Sequence, residues 1–246
     1  MKMIGLLGGM SWESSIVYER IINEEVRRRL GGVHSAELLI RSYDFAVVER
    51  LQAAGDWDEA GRLLADGARK LEAGGAQLLV LCTNTMHQVA DTVGSAVGIP
   101  LVHIADATAA AVTAAGLARI GLLGTRYTME RGFYRDRLQH AHRLEVLVPE
   151  EPDRTVVHQI IYNELVQGVI RDDSRKRYQD IIGRLRRRGA EGIIAGCTEI
   201  ELLINADDLQ LPYFPTTRLH ALAAVDMALA ADIAPLTPVR EDPNSI

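Results

Sequence analysis

The chain has 246 residues, 48% of them hydrophobic and 24% charged, with a formal net charge of −6 at neutral pH. That balance is ordinary for a folded globular protein and excludes the disordered class. The acidity argues against a nucleic-acid partner, and no apolar run reaches the roughly 18 residues that a membrane span needs. Small-molecule chemistry is the remaining expectation, and an anionic substrate would call for a locally positive pocket.

The apolar opening, residues 1–10, is broken by glycines and then by Trp12, Glu13 and Ser14, so it reads as a first strand and turn rather than a signal peptide. Leu-, Ile- and Val-rich runs then alternate with stretches of helical period. A strand at Met3–Leu7 precedes a helix at Ser14–Leu30, and a strand at Leu38–Ser42 precedes a helix at Asp56–Ala73. Strand Leu78–Leu81, helix Asn84–Val97, strand Leu101–Ile104 and helix Ala105–Ala115 follow. Next come strand Ile120–Leu123, helix Thr128–His140, strand Glu145–Val148 and helices Arg154–Gln167 and Arg175–Arg188. Strands Gly192–Ala195 and Tyr213–Pro215 and a helix at Thr217–Ala231 close the pattern, and a frayed tail is expected at 235–246. Such alternation predicts βαβ units and a parallel sheet covered on both faces.

The pattern is written twice. Ile4-Gly5-Leu6-Leu7-Gly8 recurs as Ile120-Gly121-Leu122-Leu123-Gly124 at an offset of 116, and Gly75-Ala76-Gln77 recurs as Gly189-Ala190-Glu191 at 114. Leu79-Val80-Leu81 answers Ile193-Ile194-Ala195 at 114, and Ile99-Pro100 answers Leu211-Pro212 at 112. The expected fold class is therefore α/β: two pseudo-symmetric, doubly wound, parallel-sheet lobes with one site in the cleft between them. The first lobe is placed at 1–111, completed by a C-terminal helix at 216–232, and the second at 112–215.

At the offset of 114, Cys82-Thr83-Asn84-Thr85 aligns with Gly196-Cys197-Thr198-Glu199, which sets Thr83 opposite Cys197. Each run follows an apolar strand and opens a helix. Asn84 and Thr198 are good N-cap types, and free N–H groups there can hold a carboxylate. The helix dipole is expected to lower the Cys197 pKa from about 8.5 towards neutrality. Only two cysteines occur in a chain that reads as cytoplasmic, so a structural disulfide is not expected. Alternation along the strand turns Cys82 away from Thr83, into the core.

The GCTE run at Gly196–Glu199, the TNTMH run at Thr83–His87 and the LLGGMSW opening at Leu6–Trp12 resemble the aspartate/glutamate racemase superfamily. The resemblance implies two facing lobes and no metal or pyridoxal phosphate. It also implies two acid/base groups on opposite faces of the substrate α-carbon, here Thr83 and Cys197. This chain departs from the family at Thr83, where a cysteine is usual. A hydroxyl yields its proton less readily than a thiol, so L to D is expected to be the better direction. Substrate contacts are expected at Met10, Gln52, Asn84, Thr85, Thr125, Thr128, Thr198 and Glu199, with Ser11 and Trp12 in the same turn as Met10. Glu199 would orient Cys197 or the substrate ammonium, and His87 would assist Thr83 or sit exposed on its helix. Arg41 and Arg126 are candidates to clamp a side-chain carboxylate. The expected partners are an amino-acid substrate and a second copy of the chain in a cytoplasmic homodimer. Alternatives are a decarboxylase or cis–trans isomerase using Cys197 alone, or a non-catalytic anion binder. Gly5–Gly9 lacks the GxGxxG spacing of a dinucleotide site, and the basic run Arg184–Arg188 reads as a solvated helix end.

Overall fold

A computed structural model describes residues 1–230 of the chain. The helix predicted to Ala231 is described to Leu229, and the tail at 235–246 lies outside the described residues. The elements of the first half are β1 (Ile4–Gly8), α1 (Trp12–Leu30), β2 (Leu38–Ser42), α2 (Phe45–Ala54), α3 (Trp57–Ala73) and β3 (Leu78–Leu81). A short 3-10 turn at Thr85–Val89 then leads into α4 (Ala90–Gly94), β4 (Leu101–Val102) and α5 (Ile104–Ala114). The second half holds β5 (Arg119–Gly124), α6 (Arg126–Glu130), α7 (Gly132–His142), β6 (Glu145–Leu147) and α8 (Asp153–Asn163). It continues with α9 (Asp172–Arg187), β7 (Gly192–Gly196), α10 (Ile200–Leu203), β8 (Tyr213–Pro215) and α11 (Thr216–Leu229).

All pairings are parallel, in two four-stranded sheets of order β2-β1-β3-β4 and β6-β5-β7-β8. The two-lobed α/β architecture read from the repeat is thus the observed one. In each sheet the winding reverses between its first and third strand, which opens a crevice beyond their carboxyl ends. Those ends lead to Met10 and Thr83 in one half and to Thr125 and Cys197 in the other.

Strand alternation sorts the core. Ile4, Leu6, Leu78, Val80 and Cys82 pack with Tyr18 and Ile22 of α1 and with Ala221, Ala224 and Val225 of α11. Leu7, Leu79 and Leu81 face the other way, onto Leu64, Ala68 and Leu71 of α3. In the second half Ile120, Leu122 and Ile194 pack with Ile104, Ala105, Ala109 and Val112 of α5. The last helix of each half therefore crosses to cover the other half's sheet.

Five elements differ from the sequence reading for local reasons. A helix at Phe45–Ala54 was not read; Asp44 caps it, accepting from the Ala46 N–H at 3.1 Å, and Gly55 ends it in the left-handed conformation. The helix expected at Asn84–Val97 is a 3-10 turn plus five α residues. The one expected at Thr128–His140 breaks at Arg131, and the one at Arg154–Gln167 breaks at Glu164. Only four helical residues follow Glu199.

The repeated glycines have a shared steric cause. A Cβ on Gly5 would lie 2.9 Å from Ala76 Cβ, 3.0 Å from Leu79 Cδ2 and 3.3 Å from Leu71 Cβ. On Gly121 it would meet Ile193 Cδ1 at 2.8 Å, Leu185 Cδ1 at 3.2 Å and Ala190 Cβ at 3.6 Å, the same three positions 114 residues on. Gly5→Ala should therefore lower stability by about 1–3 kcal/mol. Gly121→Ala should lose less, because methyl tips can swing away where an alanine Cβ cannot. Urea midpoints of the two variants check this, and an equal or smaller loss for Gly5→Ala contradicts it.

Candidate active site

Met10, Ser11, Ser14, Gln52, Thr83, Asn84, Thr85, Thr125, Cys197, Thr198 and Glu199 line one cavity between the lobes, with Phe45, Ile161, Tyr162 and Val166 as its apolar wall. Its volume is about 40 Å³, room for water but not for an amino acid. Admitting a substrate therefore requires this cavity to widen. Ser11, Val166 and Glu199 also line an adjoining cavity of about 330 Å³ with Glu13, Gln167 and Leu202.

Cys197 follows β7 and is 8% exposed. Its thiol donates to Glu199 Oε2 at 2.9 Å. Burial first, and then the neighbouring Glu199 carboxylate, push the thiol well above its usual range, opposed by the backbone N–H of Glu199. The expected lowering by a helix dipole is not found. The helix after Cys197 has one turn only, and a dipole that short does not outweigh a desolvated thiol beside a carboxylate. Glu199 Oε1 turns to the first half, accepting from Ser11 Oγ at 3.1 Å and Ser14 Oγ at 3.5 Å.

Thr83 follows β3, 9% exposed, and is fixed through its backbone. Its N–H donates to the Leu81 carbonyl at 2.7 Å, and its own carbonyl lies 2.7 Å from His87 Nδ1. His87 Nε2 accepts from the Ile104 N–H at 3.1 Å, so Nδ1 carries the ring proton and donates it to Thr83 O. His87 is buried, not exposed, and it holds the carbonyl of Thr83 rather than its hydroxyl. Burial and the nearby His103 and His220 keep it neutral.

Neither Asn84 nor Thr198 caps a helix, contrary to the sequence reading. Both are tied to the start of α11 instead. Asn84 Nδ2 donates to Thr216 Oγ1 at 3.1 Å, Thr216 Oγ1 donates to the Ala195 carbonyl at 2.7 Å, and Thr217 Oγ1 donates to Thr198 Oγ1 at 3.2 Å. This leaves Asn84 Oδ1 buried without a partner. Thr125 caps α6, accepting from the Thr128 N–H at 3.3 Å. Its hydroxyl lies 3.2 Å from those of both Thr85 and Thr128. Thr128 stands behind Thr125 and does not reach the cavity wall. Gln52 is buried and donates to Met86 Sδ at 3.0 Å.

Other expectations fail on geometry. Trp12 is 61% exposed. Arg41 stacks on Tyr43, 5.2 Å from the ring centroid, and Arg126 pairs at 3.7 Å with Glu130 on the surface. No Lys, Arg or His side chain lines the cavity, so the positive pocket expected from an anionic substrate is not present among the described residues. Cys82 is fully buried and desolvation pushes its thiol up. Sequence reasoning missed Ser14, Phe45, Ile161, Tyr162 and Val166. Ser14 had a signal: Ser11-x-x-Ser14 and Thr125-x-x-Thr128 are the same capping pattern 114 residues apart. Glu201 was missed too, a carboxylate raised to about 7 by burial just behind Glu199. No group of three or more metal-ligating side chains is found among the described residues. No helix there is long and apolar enough to cross a membrane.

The family model of the Asp/Glu/hydantoin racemases matches residues 7–224. The chain belongs to that family. A Yersinia pestis crystal structure described as a candidate Asp/Glu racemase is 54% identical, with a TM-score of 0.89 over 93% of this chain and 100% of that one. An aspartate racemase homologue from Pyrococcus horikoshii is 33% identical, with a TM-score of 0.82 over 93% and 99%. The broad specificity amino-acid racemase RacX of Bacillus subtilis is 22% identical over 93% of this chain and 99% of its own length. These matches favour a racemase over the decarboxylase alternative.

Iodoacetamide should modify Cys197 in the native protein and spare Cys82, with a midpoint above the ordinary thiol pKa of about 8.5. Glu199→Gln removes the charge that disfavours the thiolate and should move that midpoint to lower pH. A shift upward, or modification of Cys82 first, contradicts the electrostatics described.

Proposed function

We propose that the protein is a cofactor-independent amino-acid racemase acting on aspartate and glutamate, with Cys197 and Thr83 serving opposite faces of the α-carbon. The observation that carries this reading is the position of the two residues, 114 apart, at equivalent strand ends on the wall of one cavity. Inversion needs two such groups, because one group can return a proton only to the face it left.

Glu199 accepts the thiol proton, and the Cys197 thiolate removes the α-proton of the L-enantiomer. The Thr83 hydroxyl delivers a proton to the other face. Cys197 is then a thiol again, having kept the α-proton, and the cycle closes when water reprotonates the Thr83 alkoxide and the hydroxide so formed takes the proton held on Glu199. Thr83 is a much weaker acid/base group than a thiol, which supports L to D as the faster direction. The buried, unpartnered Asn84 Oδ1 suits a substrate ammonium. The reading includes no metal or pyridoxal phosphate and takes the protein as a cytoplasmic homodimer, on the strength of the family resemblance.

The uncharged cavity wall favours a second reading of the substrate. Without a cation to match a distal carboxylate, amino acids with uncharged polar side chains fit the site as well. The name of the B. subtilis relative points the same way. A panel of L-amino acids, each assayed for its D product after dialysis of the protein against a chelator, separates these cases; no product from any of them would leave the anion-binding reading.

Two variants test the division of labour. Cys197→Ala should lose conversion by at least a hundredfold, together with exchange of the L-substrate's α-proton in D₂O. Thr83→Ala should lose conversion comparably yet keep that exchange, since Cys197 still works on its own face. Loss of exchange in folded Thr83→Ala, read by NMR, would show that the two residues do not act on separate faces.

A further inference from the structure

We infer that Ser11 and Ser14 are positioning residues for Cys197: they hold the Glu199 carboxylate from across the cleft and so set the protonation of the thiol. This rests on the acid/base role proposed for Cys197.

An ionised carboxylate accepts hydrogen bonds and donates none. Glu199 Oε2 accepts from Cys197 Sγ at 2.9 Å, and Oε1 accepts from Ser11 Oγ at 3.1 Å and Ser14 Oγ at 3.5 Å. The two hydroxyls lie 3.3 Å apart, and Ser11 Oγ also accepts from the Ser14 N–H at 3.4 Å as the N-cap of α1. The helix start thus fixes the hydroxyls, and the hydroxyls fix which oxygen of Glu199 faces the sulfur. The serines belong to the first half, and Cys197 and Glu199 to the second. The clamp exists only with the lobes together, which ties the state of the thiol to closure of the cleft.

The other half repeats the arrangement at the offset of 114. Thr125 and Thr128 stand for Ser11 and Ser14, and Thr85 stands for Glu199. Thr125 Oγ1 lies 3.2 Å from Thr85 Oγ1 and 3.2 Å from Thr128 Oγ1. A capped helix start reaching across to the second residue after the acid/base position is therefore built twice. Only the Cys197 copy has a carboxylate in it, so the Ser11–Ser14 clamp governs a proton acceptor and its counterpart does not.

The test uses the full chain with Ser11→Ala, Ser14→Ala, the double variant and Ser11→Thr, with circular dichroism to establish folding. Ser14→Ala leaves the cap of α1 in place, so an effect in that variant does not come from a lost cap. In the double variant kcat/KM should fall at least tenfold, equally for both enantiomers. The midpoint for alkylation of Cys197 by iodoacetamide should move to lower pH, towards that of Glu199→Gln, as the carboxylate swings away from the sulfur. Ser11→Thr, the residue type found at the counterpart position, should keep most of the activity and the unmodified midpoint. A folded double variant with an unchanged alkylation midpoint overturns the inference, whether its activity falls or not. If the wild-type chain racemises nothing, the functional reading fails while the alkylation series still decides the clamp.

Discussion

The exchange of α5 and α11 between the two sheets is the constraint on which the site depends. A parallel sheet must be covered on both faces to bury its apolar strands, and each half supplies from its own chain only part of that cover. Helix α11 lays Ala221, Ala224, Val225 and Ala228 on the first sheet, while α5 lays Ile104, Ala105, Ala109 and Val112 on the second. Small residues on α11 let the helix lie close against its sheet. Because the helices cross, neither sheet keeps its cover without the other. The carboxyl ends of both sheets are held facing one cavity, and Thr216 and Thr217 at the start of α11 pin Asn84 of one half and Thr198 of the other.

On that near-symmetric frame the strand-end residues are unequal. Cys197 sits beside Glu199, and Thr83 occupies the same place beside Thr85. The frame explains why this can occur without disturbing the fold. The 114-residue repeat is enforced where backbones and core side chains meet, at Gly5 with Ala76 and Leu79 and at Gly121 with Ala190 and Ile193. At the strand ends the side chains project into a cavity, where no packing partner demands that the halves match. Sterics preserve the repeat in the core, and chemistry is free to break it in the cleft.

That difference also sets what was legible in the sequence. The repeat, the eight strands and the pairing of Thr83 with Cys197 follow from short motifs at constant spacing. The alternation Val80, Leu81, Cys82 placed Cys82 in the core correctly, because period two is a local property. What the sequence hid was non-local or finely balanced. The helix at Phe45–Ala54 is short, and its apolar period of Phe45, Val48 and Leu51 spans only two turns. Asn84 and Thr198 carry the side chains of N-caps, yet residues more than 130 and nearly 20 positions away, Thr216 and Thr217, claim their hydrogen bonds. The elevated Cys197 thiol depends on burial and on the rotamer of Glu199, neither of which spacing reports. Arg41 and Arg126 are the right type for a carboxylate clamp, but they sit on outward faces of their elements. The Ser11–Ser14 pair was within reach, since its counterpart Thr125–Thr128 stands at the same offset.

An unequal pair of acid/base groups does not by itself favour either enantiomer. The two have equal free energy in water, so the ratio of kcat to KM must be the same in both directions whatever the residues are. What the pair can change is how that shared quantity divides. With a thiol–carboxylate unit on one face and a hydroxyl on the other, a larger kcat for the L-enantiomer must come with a proportionally larger KM. The closed cavity sharpens the point. Desolvation holds the Cys197 thiol protonated, so on the proposed reading part of the work of forming the thiolate falls to interactions that a substrate brings, above all its ammonium group. On the proposed reading, lobe closure, the Glu199 clamp and substrate charge are then three contributions to one event, the ionisation of Cys197. On the same reading the roles exchange in the D to L direction, where the Thr83 hydroxyl must itself lose its proton before it acts, and Thr85 beside it offers no carboxylate to take that proton.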